Sequence, residues 1–236
     1  MTEQYYKWYS HNLGMDMEMM VFGDRGYPVV LFPTTMGRYF ECKDQGLIKS
    51  AEWFINEGLV QVYCPNSVNE HSWYNRSIHP ADKVRNHTHY DKMVLEEIVD
   101  KIRWNTGTGK VVMAGPSFGA YQALNFAFRH PDRVSHLFAM SGKFDIGSFM
   151  DGYHDDNVYF NNPIEYIHGL NDPNVWNMNI VLGTSEWDIC LEFSQDMSRR
   201  LNEKNINHWL DVRGWKEHDW PLWQEMFPHY LSLIHK

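Results

Sequence analysis

The sequence predicts a single α/β domain with a mostly parallel central sheet flanked by helices. Short apolar runs alternate with longer helical stretches, which is the pattern of βαβ units. At least one run, Pro28–Pro33 (PVVLFP), is apolar throughout, as a strand buried on both faces is. The length of 236 residues suits one domain over 1–236 and allows a substantial core.

The elements follow in order. Asp16–Gly23 (DMEMMVFG) alternates and predicts an early strand, and Pro28–Pro33 predicts the next. Asp44–Gly58 has helical spacing and a glycine stop. Leu59–Pro65 (LVQVYCP) reads as a strand, and Tyr90–Asn105 as an amphipathic helix. Lys110–Gly115 (KVVMAG) reads as a central strand, and Phe118–Pro131 as a helix stopped by proline. Val134–Gly142 and Asn179–Thr184 are further strands, Cys190–Asn205 a helix, Asn207–Gly214 a last strand and Pro221–Ile234 a closing helix. The stretch 144–178 is polar, rich in Asn, Asp and Tyr, and weakly periodic. Long connections of this kind are uncommon and often functional, so a cap over the C-terminal edge of the sheet is expected there, a plain surface excursion being the alternative.

Composition narrows the partners. There are 21 basic against 30 acidic residues, a net charge of -9, which disfavours nucleic acid and anionic membranes. No apolar stretch approaches the length of a membrane span, and the first residues lack the apolar segment of a signal peptide. The three cysteines, Cys42, Cys64 and Cys190, are far apart and odd in number. They read as reduced thiols of a cytoplasmic protein. The 10 Trp, 13 Tyr and 13 Phe fit a tryptophan-rich core, or a pocket that stacks rings or sugars.

The chemistry centres on Gly115-Pro116-Ser117-Phe118-Gly119, a G-x-S-x-G between a predicted strand and a predicted helix. That is the setting of a nucleophile elbow, where a tight turn presents the serine hydroxyl beside a helix N-terminus. Serine is a weak nucleophile and needs a base with an orienting acid, here in the order Ser, Asp/Glu, His after later strands. His218, in GWKEHDW after the last strand, is the candidate base. Asp188 is the candidate acid and Glu186 the alternative; both follow the strand Asn179–Thr184. The backbone N–H of Phe118 supplies one expected oxyanion donor. The second is expected from the loop after Pro28–Pro33, with Thr35 N–H first and Thr34 or Met36 as alternatives. Trp73, Tyr74, Trp187 and Trp220 are candidates for the substrate pocket. His71, His79, His87 and His89 include a two-residue spacing that metal sites use, but no H-E-x-x-H or C-x-x-C accompanies them. No metal and no other cofactor is expected.

GPSFGA, GTSEWD and KEHDWPLW, in this order, resemble the α/β-hydrolase superfamily. Within it they are similar to the esterase group that includes esterase D, feruloyl esterases and the antigen 85 mycolyltransferases. HDWPLW resembles the His-Asp-Trp-x-x-Trp close of the feruloyl-esterase-like branch, and His87–Arg103 the helix before the elbow strand. FPTTMGRYFE and HSWYNR resemble a little-characterised bacterial subgroup. The resemblance spans roughly Pro28 to the C-terminus. It implies Ser117 as nucleophile and His218 as base, with Asp188 as acid, or Glu186 if spacing from Gly183 is kept. Many relatives carry His-Gly where this chain has Pro33-Thr34, which bears on the second oxyanion donor. The expected activity is hydrolysis of a small-molecule carboxylic ester through a covalent acyl-enzyme, with a sugar or aromatic acyl ester suggested. The alternatives are an acyltransferase using the same acyl-enzyme and a non-catalytic binding protein on the same fold.

Overall fold

The computed structural model describes residues 1–234; His235 and Lys236, the last two residues of the predicted 1–236 domain, lie outside the described residues. The strands are β1 (Glu3–Ser10), β2 (Met15–Phe22), β3 (Tyr27–Leu31), β4 (Val60–Pro65), β5 (Val111–Pro116), β6 (Val134–Met140), β7 (Asn179–Ser185) and β8 (Trp209–Arg213). They form one sheet in the order β1-β2-β4-β3-β5-β6-β7-β8. From β4 to β8 all pairs are parallel, and β2 is antiparallel to both its neighbours. The chain leaves β3 toward β4 and returns on the other side to β5. This switch point puts the loops after β3 and β5 side by side at the carboxyl ends of the strands, where open α/β sheets hold their ligands.

The apolar runs form the central strands because helices cover both faces. Along β5, Val111 and Met113 join the core beside Ala123, Leu124 and Ala127. Val112 and Ala114 join the opposite core with Leu222, Met226 and Phe227. All six residues of β5 are buried.

Two helical expectations shift. Asp44–Gly58 is not one helix but three turns, α1 (Glu41–Asp44), α2 (Leu47–Ser50) and α3 (Glu52–Asn56). The chain leaves helical geometry at Gln45–Gly46 and again at Ala51. The helix expected from Tyr90 starts ten residues earlier as α4 (Pro80–Met93), passes through a wide π turn at Val94–Val99 and ends as α5 (Asp100–Thr106). Its first half lacks an apolar stripe because it buries Lys83, His87 and Asp91. The remaining helices are α6 (Phe118–Arg129), α7 (Asp156–Tyr159), α8 (Pro163–Tyr166), α9 (Pro173–Trp176), α10 (Leu191–Glu203) and α11 (Trp220–Leu231). Strand β1 was not expected: seven of its eight residues are not buried, so it has no apolar face to read. Glu97 in the π turn secures it, accepting hydrogen bonds from Trp8 Nε1 at 2.6 Å and Ser10 Oγ at 2.9 Å.

The stretch 144–178 connects β6 to β7 through short turns, including α7, α8 and α9. Asparagines hold it where periodicity would fail. Tyr121 Oη donates to the Asn161 carbonyl at 2.8 Å, Asn125 Nδ2 to Asn161 Oδ1 at 3.1 Å, and the Ile146 N–H to Asn162 Oδ1 at 3.2 Å. Its later part lies against α10, where Arg200 donates to the Ile164 carbonyl at 3.0 Å.

Two buried groups contribute to the response to acid. Burial holds His87, 3% exposed, neutral with its pKa lowered to about 3. Burial alone would raise the Asp91 carboxyl, but the His130 hydrogen bond at 2.7 Å and the Arg129 charge outweigh it and hold it below its ordinary value. Both folded pKa values are depressed, so both contributions are present above the unfolded pKa and lost as pH falls. The His87 contribution declines first, from pH 6.5 downward, by about 1.4 kcal/mol per pH unit. The melting temperature is therefore expected to drop between pH 6.5 and 4, and to drop less steeply in His87→Gln. An unchanged slope in that variant would contradict this account.

Candidate active site

Ser117 sits between the end of β5 and the first residue of α6, at φ 55 and ψ -121. This left-handed backbone is uncommon for serine and is sustained only where its surroundings over-determine it. Here the Ser117 N–H donates to the Met140 carbonyl at 2.8 Å, and its carbonyl accepts from Ala120 N–H at 3.0 Å. The flanking glycines are needed for close approach. A Cβ on Gly119 would stand 2.5 Å from the Pro33 carbonyl oxygen, and one on Gly115 would stand 2.4 Å from the Gly119 carbonyl group. Strand, helix and the loop after β3 thus meet at distances that only hydrogen side chains allow.

Three side chains from three loops converge on this turn. Ser117 Oγ lies 2.9 Å from His218 Nε2, and His218 Nδ1 lies 2.8 Å from Asp188 Oδ1. A carboxylate accepts, so Nδ1 carries the proton and Nε2 is left to accept from the serine hydroxyl. Asp188 is 5% exposed and also accepts the Cys190 N–H at 2.8 Å. Burial raises its pKa, but the hydrogen bonds from His218 and Cys190 and the neighbouring Ser141 hydroxyl outweigh burial and keep it below the ordinary carboxylate value. It is therefore ionised at neutral pH.

The loops are held in turn. Ser185 Oγ bonds the Lys216 carbonyl, tying the loop after β7 to the loop after β8. Asp219 caps α11 by accepting the Trp220 N–H at 2.8 Å. Trp223 sets the imidazole plane, packing edge-on at 5.1 Å between centroids and 89°, and donates its Nε1–H to Ser141 Oγ at 2.9 Å. Glu186 stands apart: it is exposed, and its N–H goes to the Arg213 carbonyl at 3.0 Å. Cys190 is close enough that its sulfur falls within 4.8 Å of atoms of Asp188 and His218. Burial and the Asp188 charge push its thiol up to about 12, so it stays protonated and does not compete as a nucleophile.

Phe118 N–H opens α6, and no protein acceptor takes it among the described residues. In the loop after β3, Thr34 N–H donates to Glu41 Oε2 at 2.8 Å and Thr34 Oγ1 to Oε1 at 2.8 Å. That occupies one of the three alternative donors and leaves Thr35 and Met36. Thr35 Oγ1 is 3.3 Å from Tyr74 Oη.

The expected pocket residues fall in different places. Trp73 is 1% exposed and packs against His87 and Tyr121; it lines a cavity with Tyr74, Arg76 and Lys83. Tyr74 packs edge-on against Phe118 at 5.4 Å. Trp187 is 57% exposed and meets Trp215, 68% exposed, at 5.4 Å. Trp220 packs on Trp223 at 5.0 Å. Of the four histidines, His79 accepts the Ala81 N–H at 3.2 Å, His71 is 3.4 Å from Glu70, and His87 is in the core. Among the described residues, the group of His, Cys and carboxylate side chains that converges as metal ligands do is Asp188, Cys190 and His218 itself.

Sequence reading did not single out Ser141, Glu41, Phe149 or Trp223. Trp223 had a signal in the second tryptophan of HDWPLW; the other three act through contacts that no local pattern encodes.

The fold and this geometry set the class, and comparison with known proteins gives the family. The esterase family model, described as "Putative esterase", matches residues 10–233, so the chain belongs to that family, within the α/β-hydrolase superfamily. Family membership makes it a carboxylic-ester hydrolase. The match begins upstream of Pro28, where the motif resemblance starts. A comparison with curated proteins finds no match. Among solved structures, a ferulic acid esterase is similar with a TM-score of 0.78 at 16% identity, over 99% of this chain and 97% of that one. FphF, a fluorophosphonate-binding serine hydrolase of Staphylococcus aureus, has a TM-score of 0.76 at 16% identity, over 100% and 98%. MPT51 of Mycobacterium tuberculosis has 0.71 at 15%, over 99% and 97%. These likenesses establish the fold.

Proposed function

We propose that Ser117, His218 and Asp188 form the catalytic triad of this ester hydrolase. The observation that carries the reading is the unbroken hydrogen-bond relay from Ser117 Oγ through the imidazole to the buried carboxylate, at 2.9 and 2.8 Å. Ser117 Oγ attacks the ester carbonyl carbon while His218 Nε2 takes its proton. The oxyanion forms against Phe118 N–H, with Thr35 N–H as the second donor. The C–O bond to the alcohol breaks, and His218 returns the proton to the leaving oxygen. Water, deprotonated by the same nitrogen, then attacks the acyl carbon; the bond to Ser117 Oγ breaks, His218 returns the proton to Oγ, and the acid leaves. Asp188 stays ionised, fixes the tautomer and stabilises the imidazolium.

The names of the neighbours support this chemistry: one is a ferulic acid esterase and another a serine hydrolase that binds fluorophosphonate. The exposed Trp187–Trp215 pair stands beside the loops that carry Asp188 and His218, and suits an aromatic acyl or sugar ester. The stretch 144–178 serves as a cap whose first part, at Phe149, borders the elbow through Phe118 at 5.8 Å. The first test is turnover of 4-nitrophenyl esters from acetyl to octanoyl. Hydrolysis above the buffer rate is expected for the short members, and none across the series contradicts the reading.

A further inference from the structure

We propose that the substrate carries a carboxylate remote from its ester bond, and that the cavity behind Phe118 binds it. The inference rests on the ester-hydrolase reading of Ser117 and adds the class of substrate.

The cavity measures about 360 Å³, within the range of small-molecule sites. Tyr74 and Phe149 form its wall toward the elbow. Both rings pack against Phe118, at 5.4 and 5.8 Å, and against each other at 5.0 Å. The cavity is therefore separated by these two rings from Phe118, the residue that follows the proposed nucleophile. Tyr74 also reaches Thr35 through its hydroxyl.

Its polar lining is cationic. The side chain of Lys83 on α4 is 7% exposed, and Nζ donates to the Phe149 carbonyl at 3.0 Å. Its nearest carboxylate, Asp151, is 3.9 Å away, beyond hydrogen-bond length. An ammonium has three N–H donors, and a buried one with a neutral acceptor and a distant carboxylate is incompletely compensated. Arg76 also lines the cavity and has no carboxylate within ion-pair distance among the described residues. Ser148 Oγ accepts from Lys143 at 3.2 Å, which leaves its O–H to donate. Two cations against one carboxylate give the cavity a local positive charge in a chain of net -9. A planar carboxylate would meet the Arg76 fork and the spare Lys83 N–H groups, and charge-assisted bonds of this kind are the strong ones.

The test compares kcat/KM within two matched pairs. Monophenyl adipate against phenyl hexanoate puts the charge on the acyl side. 4-Carboxyphenyl butyrate against 4-(methoxycarbonyl)phenyl butyrate puts it on the alcohol side. In one pair the anionic ester should be favoured by about tenfold at low salt. That preference should fall at least severalfold in Arg76→Ala and Lys83→Gln, and rise in Asp151→Asn, which removes the competing carboxylate. Arg76 is exposed, so its variant keeps the test decisive if the Lys83 variant misfolds. No preference in either pair, or a preference that survives Arg76→Ala, overturns the inference while the neutral esters still turn over. Failure of the hydrolase reading shows differently, as no turnover of the neutral esters.

Discussion

Replacing Ser117 with alanine is expected to lower kcat by about 10⁶, or about 8 kcal/mol of barrier. The substitution removes the atom that forms the acyl bond, so water must attack directly. What remains is the proposed oxyanion stabilisation by Phe118 N–H, together with binding. The loss should fall on kcat rather than KM, because the hydroxyl matters only once bond formation begins. Alanine also takes on the left-handed backbone at φ 55, so a melting curve belongs beside the kinetics. A folded Ser117→Ala protein that keeps a tenth of wild-type kcat is incompatible with the proposed chemistry.

Asp188→Asn is expected to cost about 10⁴ in kcat. The carboxylate now accepts from both His218 Nδ1 at 2.8 Å and Cys190 N–H at 2.8 Å. An asparagine amide can turn its NH₂ toward His218. The imidazole then places its proton on Nε2 and can no longer accept from Ser117. The transient imidazolium also loses its counter-charge. Glu186→Gln serves as the control: Glu186 is exposed and its side chain has no place in the relay, so kcat should stay within about threefold, as for most surface substitutions. Equal losses at the two positions, or a larger loss at Glu186, would mean that the acid has been misassigned.

The central architecture was legible because it rests on local rules. β5 announces itself as a buried apolar run, Gly115 and Gly119 as small residues around a turn, and His218 and Asp188 as polar residues just past strands. The choice between Asp188 and Glu186 was not legible. The two carboxylates are two residues apart, and which one turns inward depends on how the loop after β7 bends over Ser141 and Cys190. Strand β1 escaped notice because it is stitched on by Glu97 rather than by an apolar face. The start of α4 escaped because its buried side is built from Lys83, His87 and Asp91, whose partners come from other elements. The same holds for Thr34. Nothing local signals that Glu41 takes its N–H, yet that contact leaves Thr35 and Met36 as the proposed candidates for the second oxyanion donor.

The most direct measurement is peptide mass mapping after treatment with a fluorophosphonate probe. A single adduct is predicted on the peptide that carries Ser117. It should be absent in Ser117→Ala and form far more slowly in a folded His218→Ala protein. Full ester turnover with Ser117 unlabelled, or an adduct on another residue that accompanies loss of activity, would contradict the assignment.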